Sequence, residues 1–415
     1  MPTKIIIIGA GVIGAASALA LQKDGHDVLL LDKESPCAGA SAGTAGVVIN
    51  GSCDPTAMPG IIFSAFRMLT QADSPLSVHP AYLHRIMPWL IRFILQSRQS
   101  KVLENAKHLH ALSQSAASSW KQLISHTDLS SLFKEAGWLK VYESKKSFDH
   151  TKYSRELLDK MGSKYECLNA SQIQDLEPNL APIFNHGLYQ RDSLRITNPE
   201  KLVKGMVELF VNHGGSYKQL AVKAIKNNDT DIEVVGDKSS VKADKVIIAA
   251  GAWSRSLAKQ LGDNIPLDTE RGYHLMLAES NAALLNRPVF NGEDSFVLSP
   301  METGLRMTAQ VELAGMDIKP DYSKIRSLLP SVKRMLPKFD NNEDSAWMGF
   351  RPSLPDSLPV LGFSNKSNKI LYAFGHQHLG MTLGAVSGLL IADLVADRKP
   401  PIDLSPYRAN RFTTL

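Results

Sequence analysis

The hexapeptide Gly9-Ala10-Gly11-Val12-Ile13-Gly14 joins the apolar run Ile5–Ile8 to a stretch of small and apolar residues, and it constrains this chain more than any other feature. That order spells a strand, a tight turn and a helix. The first glycine permits the turn, the second lets a pyrophosphate approach the backbone, and the third lets helix and strand come close. Unpaired N–H groups at the helix start favour phosphate charge. Ala18 and Gly25 extend the pattern where bulk would disturb packing, Val28–Leu31 supplies a second strand-like run, and Asp32 at its end can accept ribose hydroxyls. The expectation is a doubly wound α/β opening that binds a dinucleotide through Gly9, Gly11, Val12, Ile13, Gly14 and Asp32. Its bland rival is a glycine-rich turn that binds nothing.

A second rival is a targeting segment or membrane anchor, because Ile5 to Leu21 carries no charge and follows Lys4. The three glycines argue against it. No other segment is expected to reach the uncharged length of about 18 residues that spans a bilayer. The reading is a soluble protein, at most resting on a membrane surface.

A chain of 415 residues exceeds what one hydrophobic core usually serves, and 44% hydrophobic with 21% charged residues excludes disorder. Two interleaved domains are expected: 1–58 as the first part of the nucleotide domain, 59–150 as a helical insertion leading into a second domain, 151–261 as the nucleotide domain again, 262–349 as the second domain, and 350–415 as the closing part of the first. Helices are expected from Arg67 to Ser125, with Trp89 and Trp120 as packing anchors, and from Pro199 to His213 after the cap-like Asn198. Strands are expected at 137–143, 187–189, 222–227, 231–236, 245–250, 272–277, 295–299, 305–309 and 371–374, with helices near 323–336 and 381–396. The net charge of +5 lacks the Lys/Arg runs of a nucleic-acid groove. Cys37, Cys53 and Cys167 are odd in number and far apart, which predicts neither a disulfide framework nor a metal cluster and fits a reducing compartment.

The fingerprint alone does not separate a nicotinamide from a flavin dinucleotide. Residues 39–46, Gly-Ala-Ser-Ala-Gly-Thr-Ala-Gly, form a second run of tiny side chains where a chain could lie against a flat ring and its phosphates. This second cradle favours the longer flavin dinucleotide over a mobile surface loop.

Five blocks in order carry a family resemblance: residues 9–33, the Ser41–Gly46 loop, Val246 to Ser254, Gly349-Phe350-Arg351-Pro352, and Gly375 to Thr382. The chain resembles the FAD-dependent D-amino-acid oxidase superfamily, in the branch of D-amino-acid dehydrogenases and glycine oxidase. The resemblance implies a Rossmann-like FAD-binding domain assembled from discontinuous segments. It also implies an α+β substrate domain with a mostly antiparallel sheet and a helical insertion. By similarity Asp32 and Lys33 lie at the adenosine end, Ser41, Thr44, Ala45, Gly46 and Val47 along the pyrophosphate and ring, and Val222 beside the adenine. Ala250, Gly251 and Trp253 close the cradle. Gly375, His376, Leu379, Gly380, Met381 and Thr382 lie at the pyrimidine edge, where a helix starting near Met381 would aim its N-terminus at a ring that becomes anionic on reduction.

Oxidising an amino acid moves a hydride from Cα to flavin N5, so the protein must chiefly hold the substrate at the ring. In the resembling enzymes the arginine of the Gly-x-Arg-Pro block grips the carboxylate, and Arg351 occupies that place. A structural ion pair is the rival role. His378 stands where glycine oxidase-like sequences can carry another arginine; it could donate to a substrate oxygen or influence amine protonation. A structural histidine is equally open there. Tyr273, His274 and Phe296 are candidates for the substrate pocket, with burial in the core as the rival. The wording around Arg271–Leu275 and Gly375–His378 leans toward dehydrogenases for D-proline or D-hydroxyproline. The implied electron acceptor is oxygen or a quinone-linked carrier, and the implied place is the cytoplasm, with peripheral inner-membrane contact permitted by the charge. A nicotinamide-dependent dehydrogenase and a flavin-binding electron carrier without an amine substrate remain as rivals.

Overall fold

A computed structural model describes residues 3–60 and 76–412. The strand Lys4–Ile8 is buried at its four isoleucines, as a parallel strand covered on both faces requires. It pairs in parallel with Asp27–Asp32 on one side and Lys245–Ile248 on the other. The six-stranded sheet runs Ser216–Gln219, Asp27–Asp32, Lys4–Ile8, Lys245–Ile248, Ser367–Phe374, Val360–Ser364, and the last pair is antiparallel. Its strands come from the beginning, middle and end of the chain, which is the discontinuous Rossmann-like domain the sequence implied.

The helices Val12–Lys23 and Gly380–Val395 pack side by side. Small residues make that contact close: a Cβ on Gly388 would lie 2.7 Å from the Ala16 carbonyl carbon. Trp120, fully buried, donates Nε1–H to the Met381 carbonyl at 2.7 Å. One expectation needs correction here. The stretch Gln377–Val395 does reach the length and apolarity of a membrane span, and its apolar character serves burial against the first helix and Trp120.

Among the described residues the second lobe is a nine-stranded mixed sheet in the order Glu343–Ser353, Asp268–Leu277, Gly304–Leu313, Phe296–Met301, Val289–Asn291, Trp138–Tyr142, His186–Gln190, Glu166–Asn169, with Leu76–Val78 beside Gly304–Leu313. Two of its pairings are parallel, and the rest are antiparallel. The short helices Ser323–Arg326 and Leu329–Met335 bury one face over a core containing Leu275, Leu298, Met307 and Val332. The opposite face turns toward the nucleotide lobe. Leu83–Gln96, Gln99–Ser113 and Ala116–Ile124 form the helical insertion; its expected beginning, Arg67 to Pro75, lies outside the described residues.

Sheet membership departs from the expected segment divisions in two places. The strand Glu343–Ser353 runs through the division at 349/350, because it pairs along Asp268–Leu277 as far as Ser353. The strands Glu166–Asn169 and His186–Gln190, inside the stretch expected to belong to the nucleotide domain, join the second lobe's sheet. Composition does not mark either crossing. The expected strand series after position 222 also divides: Val222–Asn227, Ile232–Gly236 and Ser240–Ala243 form their own antiparallel sheet, and only Lys245–Ile248 enters the parallel one.

Candidate active site

A cavity of about 700 Å³ lies between the two lobes. Gly9, Gly11, Val12 and Ile13 form part of its wall. Gly9 has φ +111°, and a Cβ there would lie 2.4 Å from the Ala249 carbonyl oxygen, so only glycine fits the crossing. Gly14 does not line the cavity; its bare Cα is used against the turn, where a Cβ would meet the Gly9 oxygen. The helix Val12–Lys23 begins at Gly11 without a side-chain cap, and Ser41 Oγ accepts the Val12 amide at 3.0 Å. Its positive dipole end therefore opens on the cavity.

Asp32 accepts the Ala10 amide at 2.7 Å on one oxygen and the Glu34 amide at 3.0 Å on the other. Burial pushes its pKa up, and the two amide bonds pull it back in part. Each oxygen keeps a lone pair for a hydroxyl. Lys33 Nζ sits 3.8 Å above the Trp253 ring, and Trp253 meets Phe350 edge to face at 5.9 Å. Val222, Ala250 and Gly251 line the cavity as well.

Ser41, Thr44, Ala45, Gly46 and Val47 also face the cavity. Their loop is pinned by Arg306, a residue the sequence reading missed. Its Nη1 donates to the carbonyls of Ala42 and Thr44, each at 2.8 Å. Burial lowers its pKa to about 10. The only sequence signal was a lone arginine inside the apolar strand Gly304–Leu313. Trp347 lies over Gly43, where a Cβ would come 1.8 Å from the indole, and stacks on His274 with ring centres 5.1 Å apart.

His376, Gly380, Met381 and Thr382 line the cavity where the helix Gly380–Val395 begins, whereas Gly375 and Leu379 do not. Thr382 Oγ1 accepts the Ile49 amide at 3.1 Å. His376 is buried, bonds Ser387 Oγ at 2.9 Å, and burial drives its pKa down to about 3, so it is a neutral structural ring.

Arg351 projects from Glu343–Ser353 onto the cavity and is half-buried. Its guanidinium lies on Gly272, where a Cβ would come 2.1 Å from Cζ. Nη1 donates to the Gln310 carbonyl at 2.9 Å. That carbonyl is turned by a left-handed backbone at Gln310, φ +68°, where the strand pairing slips between Arg271 and Tyr273. Burial lowers the arginine's pKa and the nearby Glu270 charge opposes the shift. Glu270, opposite Arg351 in the ladder, bonds His378 Nε2 at 2.9 Å, and His378 lines the cavity. Thr308 Oγ1, buried on the cavity wall, has no partner among the described residues. Trp138, Phe290, Val297 and Phe350 supply apolar surface.

Three expected pocket residues lie elsewhere. Tyr273 and Phe296 are buried in the core on the far face of the sheet, and Tyr273 donates its hydroxyl to Glu312 at 2.5 Å. Strand side chains alternate, so Gly272 and Val297 take the cavity face and their neighbours do not. His274 shares the cavity face but is covered by Trp347 and the Gly43 loop, and burial lowers its pKa to about 3.

The model of the FAD dependent oxidoreductase family matches residues 4–394. The chain belongs to this family. It is 30% identical over 416 residues to a D-amino-acid oxidase of Bradyrhizobium diazoefficiens, covering 98% of each chain. A D-amino acid dehydrogenase of Allorhizobium ampelinum is 28% identical, with 98% of this chain and 99% of the relative covered. Among solved structures, glycine oxidase from Geobacillus kaustophilus superposes with a TM-score of 0.75 at 21% identity over 99% of both chains. L-proline dehydrogenase from P. horikoshii does so with 0.77 at 17%, over 100% of this chain and 98% of the other. At those identities the likeness shows the fold.

As an FAD-dependent oxidoreductase the chain has the family's FAD-binding fold, and the nicotinamide alternative is set aside. The residues present fit the cofactor. Gly9 and Gly11 present bare Cα atoms on the cavity wall, the helix start opens there with no side chain on its own N-cap residue, and Asp32 keeps acceptor capacity for ribose.

Proposed function

We propose that the protein binds FAD in this cavity and oxidises a D-amino or imino acid to its imine, with Arg351 holding the carboxylate. One observation carries the reading. Arg351, bedded on Gly272 and facing the cavity, uses a single hydrogen bond among the described residues, so most of its five N–H donors remain for a ligand. FAD, when bound, supplies the acceptor for the hydride from Cα. The chain's own part is to orient the acid at Arg351, to cover the substrate with Trp138, Phe290, Val297 and Phe350, and to exclude water there.

The names of the two curated relatives support a D-configured substrate. D-Proline and D-hydroxyproline head the panel because the apolar wall suits a saturated ring; Tyr273 and His274, part of the wording behind that expectation, do not touch the cavity. The test is anaerobic mixing of the yellow holoenzyme with D- and L-amino acids and cyclic imino acids. Bleaching by a D-compound supports the reading. Bleaching by none leaves the electron-carrier rival and overturns it.

Peripheral membrane contact is supported by the helix Leu83–Gln96. Leu83, Met87, Ile91 and Leu95, spaced along one stripe, are 42%, 43%, 53% and 39% exposed, and Arg85, Arg92 and Arg98 add positive charge. Such contact favours a quinone-linked acceptor over oxygen. Co-sedimentation with phosphatidylglycerol vesicles, lost in Ile91→Glu, is the expected result; an unbound wild-type protein removes this reading.

A further inference from the structure

Glu270 stands in the strand next to Arg351, 5% exposed, in a place where an unpaired carboxylate would be costly. Burial alone would raise its pKa. Hydrogen bonding to His378 and the Arg351 charge, joined by the ring's own charge when it is protonated, oppose burial and hold Glu270 below the ordinary carboxylate range. Opposite Arg351 in the ladder and bonded to His378, it stands as an anion. Its Oε2 lies 2.9 Å from His378 Nε2. A carboxylate anion can only accept, so Nε2 carries a proton. In the neutral ring the lone pair then falls on Nδ1. Among the described residues nothing bonds to Nδ1, and the ring, with its side chain 37% exposed, forms part of the cavity wall.

We propose that Glu270 is a positioning residue which fixes His378 so that Nδ1 takes a proton from the substrate's nitrogen. The proposal rests on the amine oxidation inferred above. An amino acid in neutral water carries a cationic nitrogen whose electron pair is committed to an N–H bond. A hydride can leave Cα only as that pair moves in to form C=N, so one N–H proton must leave first. The N–H bond breaks, an Nδ1–H bond forms, and the pair stays on the nitrogen. Charge balances: ammonium and neutral ring become neutral amine and cationic ring, and the cationic ring faces Glu270. Among the described residues, Glu270 on Asp268–Leu277 bonds the ring, and Arg351 on Glu343–Ser353 stands opposite Glu270 in the ladder. Asp32, Lys33, Glu34 and Lys223 line the cavity with the nucleotide cradle.

Glu270 has one competing role, as a charge partner for Arg351 alone. The kinetics of flavin reduction by the amino acid found in the bleaching screen separate the two. His378→Asn is expected to lower kcat by about 10²–10⁴-fold with KM little changed. Glu270→Gln is expected to reduce kcat in the same direction, and Glu270→Asp is expected to recover part of the loss. A Glu270→Gln enzyme with unchanged kcat and only a changed KM assigns the residue to Arg351 and overturns the proposal.

A second readout does not depend on turnover. Imidazole ¹⁵N spectra of the holoenzyme, with the His378 signals assigned by their loss in His378→Asn, should show the Nε2–H tautomer in the wild type and a mixture in Glu270→Gln. Identical spectra in both overturn the inference. If no amine bleaches the flavin, the functional reading fails and the proton transfer with it, whatever the tautomer.

Discussion

On the nucleotide side of the cavity the chain offers mostly backbone: bare Cα atoms at Gly9 and Gly11, a helix start with no side chain on its N-cap residue, and the small side chains of Ser41 and residues 43–46. On the substrate side it offers side chains from several strands, with Arg351, Val297, Thr308 and the His378 ring converging on one space. The first surface works by leaving things out, and omission needs glycine at fixed spacing along one short stretch. The second depends on which residues alternate inward and on where a bulge resets the register, and those are settled by pairing between strands far apart in sequence.

Gly9→Val should break the first surface most severely. A side chain forced to φ +111° against Ala249 is expected to leave apoprotein after gel filtration, read from lost flavin absorbance, and to cost about 1–3 kcal/mol of stability from backbone strain before the clash is counted. Retained yellow colour would show that the turn tolerates bulk.

Arg351→Lys should break the second surface and spare the first. The expected result is full FAD content with kcat/KM lower by about 10²–10³-fold, the loss of a paired, partly desolvated carboxylate contact. Unchanged kinetics would remove Arg351 from the site.

Arg306→Met probes the seam between the two. It strands the partly buried carbonyls of Ala42 and Thr44, a loss of about 2–4 kcal/mol by urea unfolding, with weaker FAD binding. A variant as stable as the parent would mean water replaces the guanidinium.

Acid sensitivity arises on both sides. His274 and His376 are held neutral, with pKa values pushed by burial to about 3, and both regain the ordinary 6.5 on unfolding. Unfolding therefore takes up protons between those values. Their contribution to stability is fully present above about pH 6.5 and declines as pH falls toward 3. His376→Gln should lessen the slope of melting temperature against pH in that window; an unaltered slope would assign the acid sensitivity elsewhere.

Tyr273→Phe should have the smallest effect, about 1 kcal/mol from the lost bond to Glu312 and no change in substrate KM. A raised KM would mean the sheet face reaches the substrate after all.

Each expectation that failed at the site failed for a spatial reason. Tyr273 and Phe296 were right in element and one residue away from the cavity face, since a strand's two faces cannot be told apart until its partners are known. Glu270 carried no motif of its own, being an acid in the run Asp268-Thr269-Glu270-Arg271, and acquires meaning only beside Arg351 and His378. Gln310 offered no signal at all, because its importance is a carbonyl turned by a bulge.

The amino-acid order by itself determined the parallel sheet's opening strand, the glycine turn, the acid at position 32 and the small-residue helix near the C-terminus, because each is a local contest between side-chain volume and backbone geometry. Tertiary structure alone decided where the second lobe's sheet ends, which residue of each neighbouring pair sees the cavity, and that a buried glutamate holds the histidine beside the arginine. Those outcomes depend on ladders joining residues such as Glu270 to Arg351 and on a contact between Glu270 and His378 across 108 positions, and no local propensity encodes a partner so distant.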